Sequence, residues 1–334
     1  MQNGKKEEAQ VAKAKTADFK EKIAVYQQKL KDTEQKLLNI LYQIPNIPYE
    51  KVKAGSSETD NEIIFQSQEV EALGEGAVPH WELAKQFNII DFELGVKIAG
   101  AGFPIYLGKG ARLQRSLVQY FLDKNTDAGY LEVNPPHVVN EASGYGTGQL
   151  PDKEGQMYFA GADNLYVIPT AEVPITNIYR DEMVKENDLP IKMTAYTPCF
   201  RRDAGSYGKD VRGLNRVTQF AKVEIVQIVY PGTRYGIWEE MVNHVEKLLQ
   251  RLELPYRILR LCGGDMGFAS ALTYDFEVFS AAQEKRLEVR YVSNFEELRS
   301  NGKKNSVKTR DNKKQPVNTS TATHYEIQRR VQQV

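Results

Sequence analysis

The chain is 334 residues long, and its 41% hydrophobic and 26% charged content is typical of a globular protein with one large domain and an appendage. Lys plus Arg and Asp plus Glu number 44 each, so any contact with nucleic acid needs a local basic surface. No apolar run approaches the length that spans a bilayer and the amino-terminal residues are polar, so we expect a cytoplasmic protein with no membrane partner.

The first 45 residues have the period of a helix with a coiled-coil seam. Apolar residues recur at alternating steps of four and three, with Thr33 in the one polar position: Phe19, Ile23, Tyr26, Leu30, Leu37 and Ile40. So narrow a seam suits a single partner helix, yet only eighteen residues precede Phe19. The segment is therefore either a solvated helix on the body of the protein or half of a two-helix arm whose other half is missing or comes from another chain. Its many lysines give it a basic outer face.

The polar stretch 46–75 predicts a linker, and residues 76–300 carry the elements of a folded domain. Helices are predicted at Ala111–Lys124, Thr170–Met183 and Tyr235–Leu252. Strands are predicted at Ala195–Phe200, Val217–Val229, Tyr256–Leu261, Tyr274–Phe279 and Leu287–Ser293. Because short turns join most of these strands, we expect an α+β fold with an antiparallel sheet flanked by helices. Residues 301–334 are rich in Lys, Asn, Gln and Thr and predict a loose polar tail.

Charged and aromatic residues cluster between residues 200 and 224. Arg201-Arg202-Asp203 ends a predicted strand; guanidinium groups bind phosphate oxygens in pairs, and a carboxylate can accept from the exocyclic amine of a purine. After a glycine-rich loop, Arg216 precedes Phe220 by four residues, and strand residues four apart share a face. Arg216 could then meet a phosphate while Phe220 lies under a base, so the stretch predicts an ATP site.

This stretch resembles motif 2 of the class II aminoacyl-tRNA synthetases, which is Phe-Arg-x-(Glu/Asp), a loop, then Arg-x-x-x-Phe. The neighbouring strings are similar to those of the seryl-tRNA synthetases over about residues 44–296: Ile168–Pro174 with its Thr-x-Glu element, Phe200–Ser206, Arg212–Glu224, Cys262–Phe268 and Tyr274–Val278. Gly129–Pro136 resembles motif 1, which in that family forms the dimer interface. The resemblance implies a class II fold, a homodimer through Gly129–Pro136, and a partial tRNA-binding arm in residues 1–45.

The resemblance also implies a role for each matching residue. Arg201 would grip the α-phosphate of ATP and Glu288 would bind ATP and Mg²⁺, so these two are the predicted catalytic residues and Glu288 the predicted metal ligand. The implied ATP site consists of Arg201, Arg202, Asp203, Arg216, Phe220, Glu288, Val289, Arg290 and Tyr291. The implied serine site consists of Thr170, Ala171, Glu172, Arg201 and Glu224. The implied reaction is the activation of L-serine to seryl-adenylate and its transfer to tRNA(Ser), with ATP and Mg²⁺ as cofactors.

The sequence departs from the family pattern in three places. After Glu288-Val289 the family has two small hydroxyl residues, whereas this chain has Arg290, which would bring a positive charge beside the cation, and Tyr291, a poor neutral metal ligand. Motif 3, with its Asn-Gly-Ser, has no match in residues 301–334, and the arm has one helix where the family has two. Two hypotheses stay open: an active serine-activating enzyme, or a catalytically impaired relative that keeps the fold and binds ATP, RNA or a partner subunit.

Overall fold

The computed structural model describes residues 2–68, 74, 76–152, 155–182, 184–202 and 212–296, together with the strand segments 299–300, 303–304, 307–308 and 316–326. Side chains are described from residue 10 to residue 296, outside the same gaps. Two compact units are present, Met1–Pro45 and Asn46–Val334. None of the described helices is long and apolar enough to cross a membrane.

The helices and strands are numbered here in chain order. The helices are α1 (Gln2–Leu41), α2 (His80–Gln86), α3 (Phe92–Ala99), α4 (Gly108–Asp127), α5 (Glu141–Gly146), α6 (Glu172–Asn177) and α7 (Arg234–Arg251). The strands up to the end of the longest hairpin are β1 (Glu62–Gln66), β2 (Ile90–Asp91), β3 (Ile105–Tyr106), β4 (Leu131–Glu132), β5 (Val138–Asn140), β6 (Phe159–Ala160), β7 (Leu165–Val167), β8 (Ile191–Phe200) and β9 (Gln219–Val229). The later strands are β10 (Tyr256–Arg260), β11 (Leu272–Ser280), β12 (Lys285–Asn294), β13 (Arg299–Ser300), β14 (Lys303–Lys304), β15 (Val307–Lys308) and β16 (Pro316–Glu326).

The long amino-terminal helix expected from the heptad period is α1. Every apolar residue of its seam is exposed, from 54% at Ile23 to 67% at Tyr26. Pairs of side chains four residues apart run along the helix, such as the ion pair between Lys22 and Asp18 at 2.8 Å. An exposed apolar seam of this length is the surface that a coiled-coil partner would cover.

The α+β fold and its antiparallel sheet are confirmed. Within the described residues the main sheet runs in the order β1-β10-β11-β12-β16-β9-β8-β4, and all its neighbours are antiparallel except β4 and β8. One face packs on α4 and α7, where Val223 and Ile225 of β9 meet Trp238 and Met241. The other face carries Val226 and Ile228, which pack with the α6 residue Ile175. Successive side chains of β9 thus alternate between the helix-covered face and the opposite face.

The linker predicted over residues 46–75 instead contains a strand. Glu62–Gln66 forms β1, which pairs with β10 at the edge of the sheet. Asn46 is also anchored, since its side-chain amide donates to the carbonyl oxygens of Ala269 and Phe295, each at 2.9 Å. Ile63, Ile64 and Phe65 form a short apolar run within a polar segment, and pairing with a neighbouring strand stabilises it as a strand.

The tail was expected to be loose, and its backbone instead adds a strand to the sheet. Pro316–Glu326 forms β16 and pairs with β9 on one side and with β12 on the other. Its register sets the Cα of His324 opposite that of Glu224. The segment has Val317, Thr319 and Thr323 at positions an even number of residues apart, and these β-branched residues favour a strand more than the overall polar composition suggests.

Candidate active site

Arg201 follows β8 and is held by backbone and ring contacts. Its Nε donates to the carbonyl oxygen of Pro169 at 3.2 Å, and its backbone N–H donates to the carbonyl oxygen of Thr218 at 2.8 Å. Its guanidinium carbon lies 5.3 Å from the centroid of the Phe220 ring. The cationic side chain is therefore fixed between the turn before α6 and the start of β9, on the face that also carries Phe220.

Phe220, Lys222 and Glu224 follow one another at two-residue steps on the same face of β9. The side chains of Lys222 and Glu224 are fully buried, and Phe220 is only 3% exposed. The Lys222 Nζ donates to the Thr170 hydroxyl at 3.0 Å and lies 4.0 Å from the nearer Glu224 carboxylate oxygen. Lys222 was not among the predicted site residues, although the two-residue step from Phe220 to Glu224 places it on their face.

The start of α6 brings Thr170, Ala171 and Glu172 to this face. The Thr170 hydroxyl accepts from the Glu172 backbone N–H at 3.3 Å and donates to the Glu224 carboxylate at 3.5 Å. Ala171 is fully buried beside them. The five predicted serine-binding residues therefore do converge: Thr170, Ala171, Glu172, Arg201 and Glu224. They surround the ammonium group of Lys222, which the sequence prediction did not include.

Burial dominates the electrostatics of this cluster. It raises the pKa of Glu172 to about 7, although the positive charges of Lys222 and Arg201 oppose the rise. Burial also raises the pKa of Glu224 well above its usual value, again against Lys222. Removing a carboxylate from water disfavours its charged form, and a nearby cation restores part of that loss. Lys222 is therefore the group that most favours ionisation of both acids.

A cavity of about 280 Å³ opens beside the cluster. Its wall is acidic, with carboxylates from Glu172, Asp265, Asp275 and Glu288. Tyr291 lines the same cavity and interacts electrostatically with both Glu172 and Glu224, which raises the pKa of its buried phenol further after burial itself. Glu172 and Tyr291 line the cavity and also interact electrostatically with Glu224, whereas Glu224 and Lys222 are not part of the lining.

A bulge in β12 decides which of the residues after Glu288 face the cavity. Glu288 pairs with Glu277 and Arg290 with Phe276, so one extra residue, Val289, lies between them. Glu288 and Tyr291 consequently both line the cavity although they are three positions apart. The expectation that Arg290 stands beside the bound cation is wrong. It is buried under α7, where its Nη1 donates to the Val245 carbonyl oxygen at 3.2 Å, and Val289 packs in the same helix-covered core.

The prediction also assigned ATP contacts to Arg202, Arg216 and Asp203. Arg202 is exposed, with its guanidinium carbon 4.8 Å from the centroid of the Tyr158 ring. Arg216 is also exposed and precedes β9, so the argument that it shares a strand face with Phe220 does not apply. Asp203 lies outside the described residues. The structure therefore brings Arg201 and Phe220 together and leaves the phosphate contacts of Arg202 and Arg216 as predictions.

The residues around Glu288 do not fit a metal ion held by the protein alone. Among the described residues, no group of three or more His, Cys, Asp or Glu side chains has the arrangement to hold a metal. The neutral phenol of Tyr291, whose pKa is raised, is a poor ligand for Mg²⁺, which prefers carboxylates and water. Glu288 as a metal ligand therefore stays a prediction, and no step below depends on the ion.

The fold and the site define the class of the protein, and the comparisons agree. Residues 159–332 match the family model described as the tRNA synthetase class II core domain (G, H, P, S and T). The chain therefore belongs to the class II tRNA synthetases. Within that class it is a member of the serine–tRNA ligase family, since it is 52% identical over 293 residues to the serine–tRNA ligase of Salinibacter ruber.

The similarity covers most of this chain but a smaller part of its relatives. The Salinibacter ruber alignment includes 88% of this chain and 68% of the relative, and an alignment at 47% identity to the Geobacter sulfurreducens serine–tRNA ligase includes 82% and 65%. The chain thus spans about two thirds of the curated relatives it matches. A crystal structure of seryl-tRNA synthetase from Pyrococcus horikoshii complexed with ATP superposes with a TM-score of 0.85 at 27% identity, covering 96% of this chain and 76% of that one.

Proposed function

We propose that this chain activates L-serine with ATP to seryl-adenylate and transfers the seryl group to tRNA(Ser). The observation that carries the proposal is the convergence of Glu172, Arg201 and Glu224 on one site, in a chain that belongs to the serine–tRNA ligase family. Two acids and a guanidinium match the ammonium, the hydroxyl and the carboxylate of a serine whose acid group is to be joined to a phosphate.

In the proposed reaction the serine carboxylate attacks the α-phosphorus of ATP and the bond to the bridging oxygen breaks, so that pyrophosphate leaves. Arg201 would stabilise the charge that develops on the α-phosphate, because its guanidinium is already fixed by Pro169 and Phe220. Glu172 would receive the ammonium, and Glu224 the hydroxyl. Positioning and charge stabilisation suffice for this chemistry, and no protein nucleophile is needed.

Binding of ATP is supported by the structural match to a seryl-tRNA synthetase complexed with ATP. We assign the adenine to the face of Phe220 and the nucleotide phosphates to the side of Arg201, with Arg202, Asp203 and Arg216 as further candidates. Mg²⁺ would be supplied together with the phosphates, and Glu288 is the carboxylate of the cavity that we assign to it.

The remaining partners are also part of the proposal. The lysines of α1 would contact the tRNA backbone, and the residues Gly129–Pro136 would contact a second copy of the chain. Leu131 supports the second assignment, since it is 64% exposed on β4, at the edge of the sheet. We place the reaction in the cytoplasm, where its substrates are.

A second candidate function is ligand binding without turnover. One observation favours it: the buried phenol of Tyr291 lines the cavity together with Glu172 and Glu288. In this alternative the protein keeps the class II fold and binds ATP, RNA or a partner subunit.

Serine-dependent exchange of pyrophosphate into ATP separates the two candidates. Exchange that requires L-serine and disappears in Arg201→Ala would support activation. ATP binding without exchange would support the second candidate. Absence of both would contradict the proposed function, provided that the circular dichroism spectrum shows a folded protein.

A further inference from the structure

Lys222 is among the largest side chains that this fold buries completely. Its Nζ has the Thr170 hydroxyl at 3.0 Å, a Glu224 oxygen at 4.0 Å and the Phe220 ring centroid at 5.7 Å. A lysine ammonium removed from water costs several kcal/mol unless a charged partner compensates it. Lys222 has no part in the proposed chemical step, so its burial must be explained by its contacts within the site.

Glu224 gives that reason. Its side chain is as completely buried as that of Lys222, and burial raises its pKa and so favours the protonated acid, an effect that Lys222 opposes. A protonated carboxyl would meet a substrate hydroxyl with one oxygen as a donor, whereas an ionised carboxylate only accepts. The Thr170 hydroxyl can accept from Lys222 and donate to Glu224, so it links the two charges in one orientation.

On the basis of the proposed function, we propose that Lys222 is a positioning residue that, together with the Thr170 hydroxyl, orients Glu224 and favours its ionised form as the acceptor for the substrate hydroxyl. The class of ligand this selects is an amino acid whose side chain donates a hydrogen bond. An analogue without that hydroxyl would leave a buried carboxylate unsatisfied and would be rejected. Lys222 itself does not contact the ligand.

The other titratable groups near Glu224 must be separated from this effect. They are Cys199 and Arg201 at the end of β8, Glu172 on α6 and Tyr291 on β12. His324 of β16 has its Cα opposite that of Glu224 and is the residue of that strand that ordinarily titrates near neutral pH. A His324→Asn background therefore separates any titration of β16 from that of Glu224.

The test is the affinity for L-serine by isothermal titration calorimetry, from pH about 6 to about 8.5, in the full chain. We expect Lys222→Met to bind L-serine about tenfold or more weakly than wild type at the low end and to regain affinity as pH rises, because Glu224 loses its proton only at higher pH. The same recovery is expected in the His324→Asn background. Glu224→Gln should bind weakly at every pH, and Lys192→Met, a lysine of β8 near the Tyr130 ring, serves as the control.

The outcomes are distinct. A loss in Lys222→Met that is equal at every pH, or no loss, contradicts the inference. If Lys222→Met does not fold, the double variant Lys222→Met/Glu224→Gln removes both buried charges and should fold and bind as weakly as Glu224→Gln; failure of both to fold contradicts the paired role. A wild-type protein that binds ATP but no L-serine contradicts the proposed function itself.

Discussion

Glu288 and Tyr291 face the same cavity from β12 although three positions separate them, because the bulge at Val289 shifts the register of the strand. Tyr291 thereby lies in the cavity wall, and it also interacts electrostatically with Glu224. We expect Tyr291→Ser to extend the cavity toward Glu224 and to increase the affinity for L-serine, measured by calorimetry. Tyr196→Ser, on the partly exposed β8 residue, is the control. Unchanged affinity in Tyr291→Ser would mean that Tyr291 does not restrict access.

Arg201 and Arg202 are adjacent in sequence and differ in environment, which makes them a matched pair. Arg201→Ala should weaken ATP binding by about 2 kcal/mol, because a fixed guanidinium facing a phosphate is lost. Arg202→Ala should change it by less than about 1 kcal/mol, because this side chain is exposed against Tyr158. Equilibrium binding of ATP measures both, and equal losses would assign Arg202 to the nucleotide site.

Phe220 is predicted to stack on adenine, and its burial adds a structural cost to its removal. Phe220→Ala should lower the free energy of unfolding by about 3 kcal/mol, because its ring packs with Cys199, Leu214 and Val217. Phe220→Leu should retain most of that stability and lose about 1 kcal/mol of ATP affinity through the missing stacking. Chemical denaturation and ATP titration measure the two effects separately. Undiminished ATP affinity in Phe220→Leu would place the adenine elsewhere.

Glu172 links stability to pH. Burial raises its pKa to about 7 in the folded protein, so its folded form holds a proton that the unfolded chain has already released. The contribution of Glu172 to the free energy of unfolding is fully present below about pH 4.5 and is lost as pH rises through about 7. Glu172→Gln should therefore raise the free energy of unfolding above pH about 7 by about 2 kcal/mol while abolishing serine binding. Denaturant titrations at pH about 5 and 8 check it: an equal effect at both would exclude titration of Glu172 as the cause.

His80 links stability to pH in the opposite direction from Glu172. Its Nε2 accepts the backbone N–H of Leu214 at 2.8 Å, and burial lowers its pKa to about 4. A depressed folded pKa gives stability that is present above the unfolded value of about 6.5 and is lost as pH falls toward 4. His80→Gln should flatten the loss of stability between these values, as measured by thermal unfolding. Burial also lowers the pKa of His244 to about 4, so this residue contributes a similar dependence of stability on pH. Because His244 is left intact in His80→Gln, its share of the dependence should remain and serves as an internal control.

Several elements could be predicted from the sequence because the signal is local. The heptad step of α1 is a periodic pattern, and it predicts which face of the helix is apolar. The residues of motif 2 are recognisable in the sequence, and the resemblance implies Thr170, Glu172, Arg201 and Glu224 as candidate serine-binding residues. Lys222 lies between Phe220 and Glu224 at the same two-residue spacing, but buried lysines are rare, so its burial does not follow from the sequence alone.

Other features depend on contacts between segments distant in sequence, and residue composition misleads about them. The strands β1 and β16 were missed because an edge or a gap in the sheet supplies hydrogen bonds that polar segments cannot provide for themselves. The single extra residue in β12 leaves no signal in the amino-acid composition. It nevertheless places Arg290 under α7 and Tyr291 at the cavity.

The sequence by itself determined the class of this protein, the long helix and the residues that could hold serine and ATP, because each rests on residue type and short spacing. Only the tertiary structure decided which of them meet. Register, bulges and burial depend on the whole sheet, and they set Lys222 against Glu224, turned Arg290 away from the site and placed Tyr291 in its wall.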